Sequence, residues 1–211
     1  MAVEHSPNWR SALLITTKRA IDIAVSAALL VLLSPLLLGL AILIKMTSRG
    51  PAIYRWQVVG REGRPFTSYK FRTMVVNADQ LKCQLAQQNE MTEPVFKMTN
   101  DPRITPIGRP LRRYSLDELP QLWSVLVGDM SLVGPRPPME SEFVRFTDFQ
   151  KLKLAVKPGI TCLWQVGGRN RVSDFDQWVR LDLEYIRCWS LSLDLYILLR
   201  TAVEVVRGSG K

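Results

Sequence analysis

Histidine and cysteine are scarce in this sequence, and their scarcity excludes several classes of active site. The 211 residues include one histidine, His5, and three cysteines, Cys83, Cys162 and Cys188. A single histidine argues against Ser-His or Cys-His catalysis and against a multi-histidine metal site. Cysteines this far apart, with no C-x-x-C pair, argue against a disulfide framework or a zinc site. Catalysis would therefore rest on Asp, Glu, Lys, Arg or Tyr side chains.

Nucleotide-binding fingerprints are also missing. The sequence contains neither the Gly-x-x-x-x-Gly-Lys-Ser/Thr pattern of a P-loop nor a Gly-x-Gly-x-x-Gly turn in a βαβ setting. Its length suits one medium domain with an additional segment. The formal net charge of +9 favours anionic partners, namely nucleic acid, anionic lipid or phosphorylated small molecules.

The longest apolar segment is the uncharged run from Ile23 to Ile44, which is long enough for a bilayer-crossing helix. Pro35 has no N–H and its ring clashes with the carbonyl of Val31, which predicts a kink where Ser34 can satisfy a freed carbonyl. Asp22 is expected at the membrane interface. Cationic residues, which prefer the cytoplasmic side, flank both ends of the run, so a spanning and a re-entrant helix both remain open; they are Lys18, Arg19, Lys45 and Arg49.

Beyond residue 51 the pattern predicts a small, mostly helical domain with one β-hairpin, which makes the chain an α+β protein. In the second hairpin strand Lys70 and Arg72 share a face, which suits either a solvated surface or two cations aimed at phosphate. Segment 189–206 predicts an amphipathic helix that lies in the membrane interface or packs on the domain, and the N-terminal segment predicts a similar interfacial helix. The other predicted elements are hairpin strands 52–59 and 66–73, helices 77–90 (capped by Asn77), 119–127, 139–156 and 173–188 (capped by Ser173), and a strand within 157–170.

Two adjacent carboxylates, Asp117 and Glu118, occur in the stretch RRYSLDELPQ. Ser115-x-x-Glu118 fits a capping box and Pro120 fits a first helical turn, so the structural interpretation is an ordinary helix start. The functional interpretation uses the same geometry, because a helix start offers free N–H groups and a positive field to phosphate. One carboxylate there could attack phosphorus while its neighbour holds Mg²⁺. The local sequence leaves both interpretations open.

A second candidate is the Gly-Pro-Arg-Pro stretch, in which Pro135 and Pro137 enclose Arg136. The prolines stiffen the loop and would present the guanidinium to a planar or anionic group, although an exposed turn arginine is the alternative. Arg169 in Gly-Gly-Arg-Asn is a weaker signal of the same kind.

Four longer stretches together resemble the bacterial sugar transferases, the monotopic phosphoglycosyl transferases that begin lipid-linked glycan and exopolysaccharide assembly. The stretches are KRAIDI followed by Ser-Pro, YKFRTM, DPRITPIGRPLRRYSLDELPQLWSVLVGDMSLVGPRP and KPGITCLWQVGGRN. The resemblance extends from about Lys18 to Val206, and the combined motif is far more specific than its pieces. It departs from the pattern at Cys162, where many members have glycine.

The resemblance implies a reaction and residues that carry it. Family members move a sugar 1-phosphate from a UDP-sugar to a polyprenyl phosphate, usually undecaprenyl phosphate, release UMP and need Mg²⁺. Asp117 matches the nucleophile that forms a phosphoglycosyl-enzyme intermediate, and Glu118 matches the metal-associated acid. Arg112 and Arg136 match positions tied to phosphate and nucleotide binding.

The resemblance also implies an arrangement in the membrane. Residues 1–19 would form an interfacial segment, 20–46 a re-entrant helix broken at Ser34-Pro35, and 47–211 the catalytic domain. The N-terminus and this domain would share the cytoplasmic face of the bacterial inner membrane, in contact with lipid. A homo-oligomer is compatible with this arrangement, and nucleic acid is not an expected partner. The chain would be a minimal form or a catalytic part of something longer.

Two rival functions follow from the same residues. A membrane-tethered nucleic-acid-binding or scaffold protein would explain the charge and the apolar run, but neither the paired acids nor the proline-flanked arginine. A glycosyltransferase that leaves UDP is a nearer rival, and the nucleotide product distinguishes it. The sequence leaves the sugar open among glucose, galactose and N-acetylated hexoses.

Overall fold

The chain opens with two helices that meet at a bend. A computed structural model describes residues 12–167 and 174–210, beginning with α1 (Ala12–Leu32) and α2 (Ser34–Thr47), which are bent by 60°. The hydroxyl of Ser34 donates a 2.8 Å hydrogen bond to the carbonyl of Val31. Because Pro35 has no N–H to donate, this bond occupies a carbonyl next to the break. The predicted kink at Ser34-Pro35 is confirmed to within one residue.

The bent pair carries the apolar surface that a membrane would cover. In the described part of the chain no single helix is long and apolar enough to cross a bilayer, whereas α1 and α2 together satisfy length and composition. Many of their large apolar side chains are exposed, including Leu13, Val31, Leu32, Leu38 and Met46. Helix α1 runs unbroken through the predicted boundary between residues 19 and 20.

Two small sheets order the rest of the chain, as an α+β fold requires. The predicted hairpin is confirmed as β1 (Ile53–Val59) and β2 (Pro65–Phe71), which are antiparallel with Trp56 opposite Ser68. Glu62 and Gly63 have positive φ values of 58° and 78° at its tip. A second, parallel pair joins β3 (Ser131–Val133) to β4 (Gly159–Thr161). The sequence did not predict β3, because three residues are too few for an alternation signal.

Eight further helices complete the described residues, and several predicted bounds need correction. The predicted helix 139–156 is broken into α6, α7 and a 3-10 turn, because Thr147 and Gln150 form a capping box that starts a new helix. Asn77 makes no side-chain cap bond. Asp174 caps α9, while the predicted cap Ser173 lies outside the described residues. The helices are α3 (Ala78–Gln84), α4 (Gly108–Arg113), α5 (Gln121–Val127), α6 (Glu140–Phe143), α7 (Asp148–Lys151), α8 (Leu163–Val166), α9 (Phe175–Cys188) and α10 (Leu191–Arg207).

Helix α10 is amphipathic, as predicted from segment 189–206. Ile197 and Asp194 are buried, whereas Leu195, Leu199 and Val203 are exposed. The buried face joins a core formed with α5, β3 and α9, and the exposed face remains apolar. Such a helix suits the boundary between a domain and a lipid surface.

The base of α1 is fastened to this core. Arg19 donates hydrogen bonds of 2.6 and 2.7 Å to the carbonyls of Val125 and Leu126, at the end of α5. Asp22 is buried and accepts hydrogen bonds from the Ser131 hydroxyl and the Leu132 N–H. Asp22 is therefore covered by β3, which supplies its donors, and its place at the membrane interface stays a prediction. The fastening sets where the bent pair emerges from the domain.

Candidate active site

The two adjacent acids lie in a tight turn between α4 and α5. The turn is a 3-10 helix, Leu116–Glu118, preceded by Ser115 in the left-handed region at φ 53°. Ser115 makes no side-chain cap bond, and α5 begins only at Gln121. The predicted capping box is therefore wrong, because a capping serine needs extended backbone angles that Ser115 does not have. The acids precede α5 rather than open it.

Neighbouring positions in this turn place the two carboxylates in different surroundings. Asp117 is buried, whereas Glu118 is only partly buried and lines a cavity. Successive residues of a 3-10 helix are about 120° apart around its axis. The two acids therefore have room for different roles.

Lys70 on β2 lies close enough to the other candidate residues for their charges to affect its pKa. Burial lowers the pKa of Lys70 to about 8. The carboxylates of Asp117 and Glu118 oppose this shift, and the guanidinium groups of Arg136 and Arg112 strengthen it. Charges act on a pKa in this way only at short range. The fold therefore brings together five predicted residues that the sequence separates by up to 66 positions, as the numbers 70 and 136 show.

Aromatic rings hold the Lys70 side chain. Its Nζ lies 4.1 Å from the centre of the Trp56 ring and 5.9 Å from that of Tyr54, both on β1. Tyr54 is directly opposite Lys70 in the hairpin register. A cation above an aromatic face is stabilised without losing its charge. Sequence analysis missed Trp56, although the strand spacing could have placed it beside Lys70.

Arg112, in the last turn of α4, is held by the chain after β2. Its Nε donates a 2.9 Å hydrogen bond to the Thr73 hydroxyl. Burial lowers the pKa of Arg112, while the carboxylates of Asp117 and Asp101 raise it. Asp101 is itself paired at 2.6 Å with the buried Arg103, which fixes the neighbouring loop. Thr73 and the Asp101–Arg103 pair were not singled out from the sequence, although YKFRTM and NDPR contain them.

Arg136 is the least buried member of its loop. Pro135 and Pro137 on either side are buried, whereas Arg136 is partly exposed. The loop is fixed to β4 because the Gly159 N–H donates to the Pro135 carbonyl at 3.0 Å. The backbone of the loop is therefore fixed, while Arg136 keeps partial access to solvent. The loop-shaping role of the two prolines stays a prediction.

Two predicted phosphate ligands are placed elsewhere or not described. Arg72 follows β2 and is buried; its Nε and Nη2 donate to the carbonyls of Pro51 and Ser48 at 2.6 and 3.1 Å. This side chain therefore joins the end of α2 to β1, and a phosphate contact by Arg72 stays a prediction. Arg169 lies outside the described residues.

A largely apolar cavity of about 200 Å³ opens beside Glu118. Leu29 of α1 and Leu198 of α10 contribute to its apolar wall, and Ser115, Glu118 and Glu204 supply polar groups. The cavity thus connects α1 and α10 with the acidic turn. An apolar site with a few polar groups at one place suits an amphiphilic ligand.

The donor atoms near the turn suit one mode of magnesium binding. Within residues 12–167 and 174–210 no group of three His, Cys, Asp or Glu side chains converges to form a metal cage. Mg²⁺ commonly takes one or two carboxylates together with substrate phosphates and water. Glu118, with its carboxylate at a cavity, fits that mode.

Comparison with known proteins identifies relatives of this chain. A sequence profile of the family described as bacterial sugar transferase matches residues 13–208. The chain is 52% identical over 161 residues to the galactosyl transferase CpsE of Streptococcus agalactiae serotype III (strain NEM316). It is 47% identical over 197 residues to the undecaprenyl-phosphate galactose phosphotransferase of Salmonella typhimurium (strain LT2). It is 39% identical over 199 residues to the exopolysaccharide production protein ExoY of Sinorhizobium fredii (strain NBRC 101917 / NGR234).

These relatives differ in length. The alignments cover 76%, 92% and 92% of this chain, in the order given. They cover 36% of CpsE and 41% of the Salmonella protein, so the chain spans about two fifths of those relatives. They cover 88% of ExoY, which is of similar size.

Proposed function

Because the chain belongs to the bacterial sugar transferase family, we propose that it transfers a sugar 1-phosphate from a UDP-sugar to a polyprenyl phosphate, such as undecaprenyl phosphate, and releases UMP. The observation that carries this proposal is the convergence of Lys70, Arg112 and Arg136 around Asp117 and Glu118. Three cations facing two carboxylates suit a diphosphate substrate and a nucleophile that must approach it.

Asp117 is the nucleophile in this proposal. Its carboxylate oxygen attacks the phosphorus that carries the sugar and breaks the bond to the bridging oxygen, so the electron pair leaves with UMP. An oxygen of the polyprenyl phosphate then attacks the same phosphorus, and the bond to Asp117 breaks to restore the carboxylate. The acceptor phosphate is already ionised, so neither step needs a histidine base. One site serves both substrates in turn, which predicts ping-pong kinetics.

The neighbouring residues position and neutralise the phosphates. Lys70, held over Trp56, and Arg136, held on its proline loop, offset the charge of the diphosphate as it meets the carboxylate of Asp117. Arg112 acts from α4, with Thr73 fixing its side chain. Glu118 would hold Mg²⁺, which supplies further charge neutralisation to the phosphates when bound.

We further propose that α1 and α2 form a re-entrant pair that keeps the domain on the cytoplasmic face of the inner membrane. The 60° bend and the exposed apolar side chains support it. The polyprenyl chain would approach through the apolar cavity between Leu29 and Leu198, which ends near Glu118. Labelling a cysteine placed near Arg10 tests the topology: reaction from the cytoplasmic side is expected, and periplasmic labelling contradicts the re-entrant pair.

The reaction is tested with purified protein, Mg²⁺ and a panel of UDP-sugars that begins with UDP-galactose. Without acceptor, we expect UMP release close to one per protein and a gain in intact mass equal to a sugar phosphate less one water. Undecaprenyl phosphate should then discharge the adduct. Asp117→Asn should abolish adduct and transfer, while Asp148→Asn, an exposed acid on α7, should change neither.

The outcomes separate the rival reactions. Release of UDP in place of UMP would identify a glycosyltransferase that cleaves the sugar–oxygen bond. Full activity of Asp117→Asn would remove the nucleophile assignment while leaving the transfer reaction itself in place. Glu118→Gln should form the adduct more slowly and need a higher Mg²⁺ concentration, because one carboxylate ligand is weakened.

A further inference from the structure

A second cleft, more polar than the cavity beside Glu118, lies at the opposite end of β2 from Lys70. Its volume is about 540 Å³, and it is lined by the hairpin tip, the end of α5 and the segment before β4. Phe66 lines this cleft, and Lys70 follows four residues later. Four residues of strand extend about 13 Å. The cleft is therefore separate from the candidate active site. The charged residues that line it are Arg61, Glu62, Arg64, Asp129 and Lys157.

Gly128 lies beside two cations, Arg19 and Lys157. This residue ends α5 with φ 103°, a conformation that glycine adopts without strain. A Cβ built at Gly128 would lie 3.2 Å from Nη2 of Arg19 and 3.7 Å from Nζ of Lys157. Arg19 is fixed there by its bonds to the carbonyls of Val125 and Leu126. Because glycine has no side chain, a small concave surface bounded by these two cations remains at Gly128.

The cations of the cleft are incompletely neutralised. Glu62 is shared between Arg61 at 2.9 Å and Arg64 at 3.7 Å. Lys157 forms no ion pair with any residue in the described ranges. Burial lowers the pKa of Lys157 and so do the charges of Arg19 and Arg61, whereas the carboxylates of Asp22 and Asp129 raise it. An anion in the cleft would relieve this repulsion.

The position of the cleft indicates where such an anion comes from. Arg19 lies four residues before Ile23, where the apolar run of α1 begins. Four helical residues rise about 6 Å, so Arg19 is close to the headgroup level of a membrane that takes up the apolar run. Pro65 and Phe66 add apolar surface to the same cleft. A phospholipid carries its phosphate next to apolar chains, so cations beside an apolar surface suit its headgroup.

We propose that this cleft binds the phosphate of an anionic phospholipid, with Lys157 at its base, Arg61 and Arg64 at its rim and Arg19 close behind Gly128. Binding there would orient the domain on the membrane at a site separate from both substrates. This lipid binding does not depend on which sugar or nucleotide binds in the active site.

The test measures thermal unfolding of the purified chain in a neutral detergent. Short-chain phosphatidylglycerol, phosphatidylcholine of the same chain length and inorganic phosphate are added separately at equal ionic strength. We expect phosphatidylglycerol at ten times its Kd to raise the unfolding midpoint by roughly 3–6 °C. Phosphatidylcholine and inorganic phosphate should change it little. An equal rise with phosphatidylcholine, or with inorganic phosphate alone, would overturn the lipid assignment.

Variants assign the response to the cleft. Arg61→Gln combined with Lys157→Gln should remove at least half of the rise caused by phosphatidylglycerol. The matched control, Arg180→Gln with Arg187→Gln, removes two exposed cations of α9 and should keep it. Equal loss in both pairs would show unspecific attraction and contradict the proposal. If the cleft pair fails to fold, Arg64→Gln provides a milder change, because its side chain is 84% exposed; an unchanged response would then count against the rim assignment.

Discussion

The ammonium of Lys18 lies 2.6 Å from Oδ2 of Asp194, joining the base of the bent helix pair to α10. The same carboxylate accepts hydrogen bonds from the hydroxyl of Tyr185 at 2.7 Å and the indole N–H of Trp189 at 3.1 Å. Asp194 is buried, so its charge depends on these partners. The base of α1 and the start of α10 therefore share one polar cluster.

Lys18→Ala should destabilise the protein by about 3 kcal/mol, because it leaves a buried carboxylate without its cation. Denaturant unfolding in detergent measures the loss. The control is Lys151→Ala, whose pair with Asp148 has side chains 47% and 99% exposed, against 20% and 10% for Lys18 and Asp194. The control should lose less than about 1 kcal/mol. Equal losses of unfolding free energy would show that the Lys18–Asp194 pair stabilises the protein no more than an exposed pair.

The activity should fall as pH rises through about 8, where Lys70 of the free enzyme loses its proton. A neutral Lys70 no longer attracts the diphosphate, so kcat/KM for the UDP-sugar decreases. Lys70→Arg keeps its charge and should remove this limb of the pH profile. Persistence of the limb in Lys70→Arg would assign it to another group.

The stability of the protein should change with pH in the opposite direction. The pKa of Lys70 is about 8 in the folded chain and near its ordinary 10.5 when unfolded. Between these values the unfolded state binds more protons, so stability increases as pH rises from about 8 towards 10.5. Comparing unfolding of the wild type with Lys70→Met across this window isolates the contribution.

Gly159→Ala should lower both stability and transfer. An added Cβ would collide with the backbone of Gly134, so β4 must move away from the loop that carries Arg136. We expect a loss of about 1–3 kcal/mol and a raised KM for the UDP-sugar. Gly39→Ala is the control, because a Cβ at Gly39 meets nothing within 4 Å. A fully active Gly159→Ala would show that the position of Arg136 tolerates movement.

Pro35→Ala should straighten the bend between α1 and α2. The substitution restores a backbone N–H donor and removes the proline ring that clashes with the carbonyl of Val31. Spin labels at positions 24 and 43 should move apart, and transfer should decline as the domain loses its membrane orientation. Ser34→Ala removes only the bond to Val31 and should have a smaller effect. An unchanged label distance in Pro35→Ala would mean that neighbouring contacts set the bend.

Local chemistry explains which elements were predictable. The bend follows from Pro35, the hairpin from alternation around a turn, and α10 from its apolar spacing. The capping box at Ser115 was predicted from residue spacing, but capping also requires backbone angles that the surrounding contacts decide. The long helix predicted over 139–156 failed similarly, because the helical spacing of Phe143, Phe146 and Phe149 does not reveal that Thr147 starts a new helix.

The sequence by itself determined the reactive groups: with almost no histidine and cysteine, only carboxylates, cations and tyrosines remained, and the combined motifs pointed to one family. Only the tertiary structure decided how these groups act on one another. Lys70 and Asp117 come from separate elements, and Lys18 reaches Asp194 from the other end of the chain. Charges influence each other through space over roughly 10 Å, whereas local patterns report only neighbours along the chain. The shifted pKa of Lys70 and the buried partners of Asp194 therefore arise only when the chain folds.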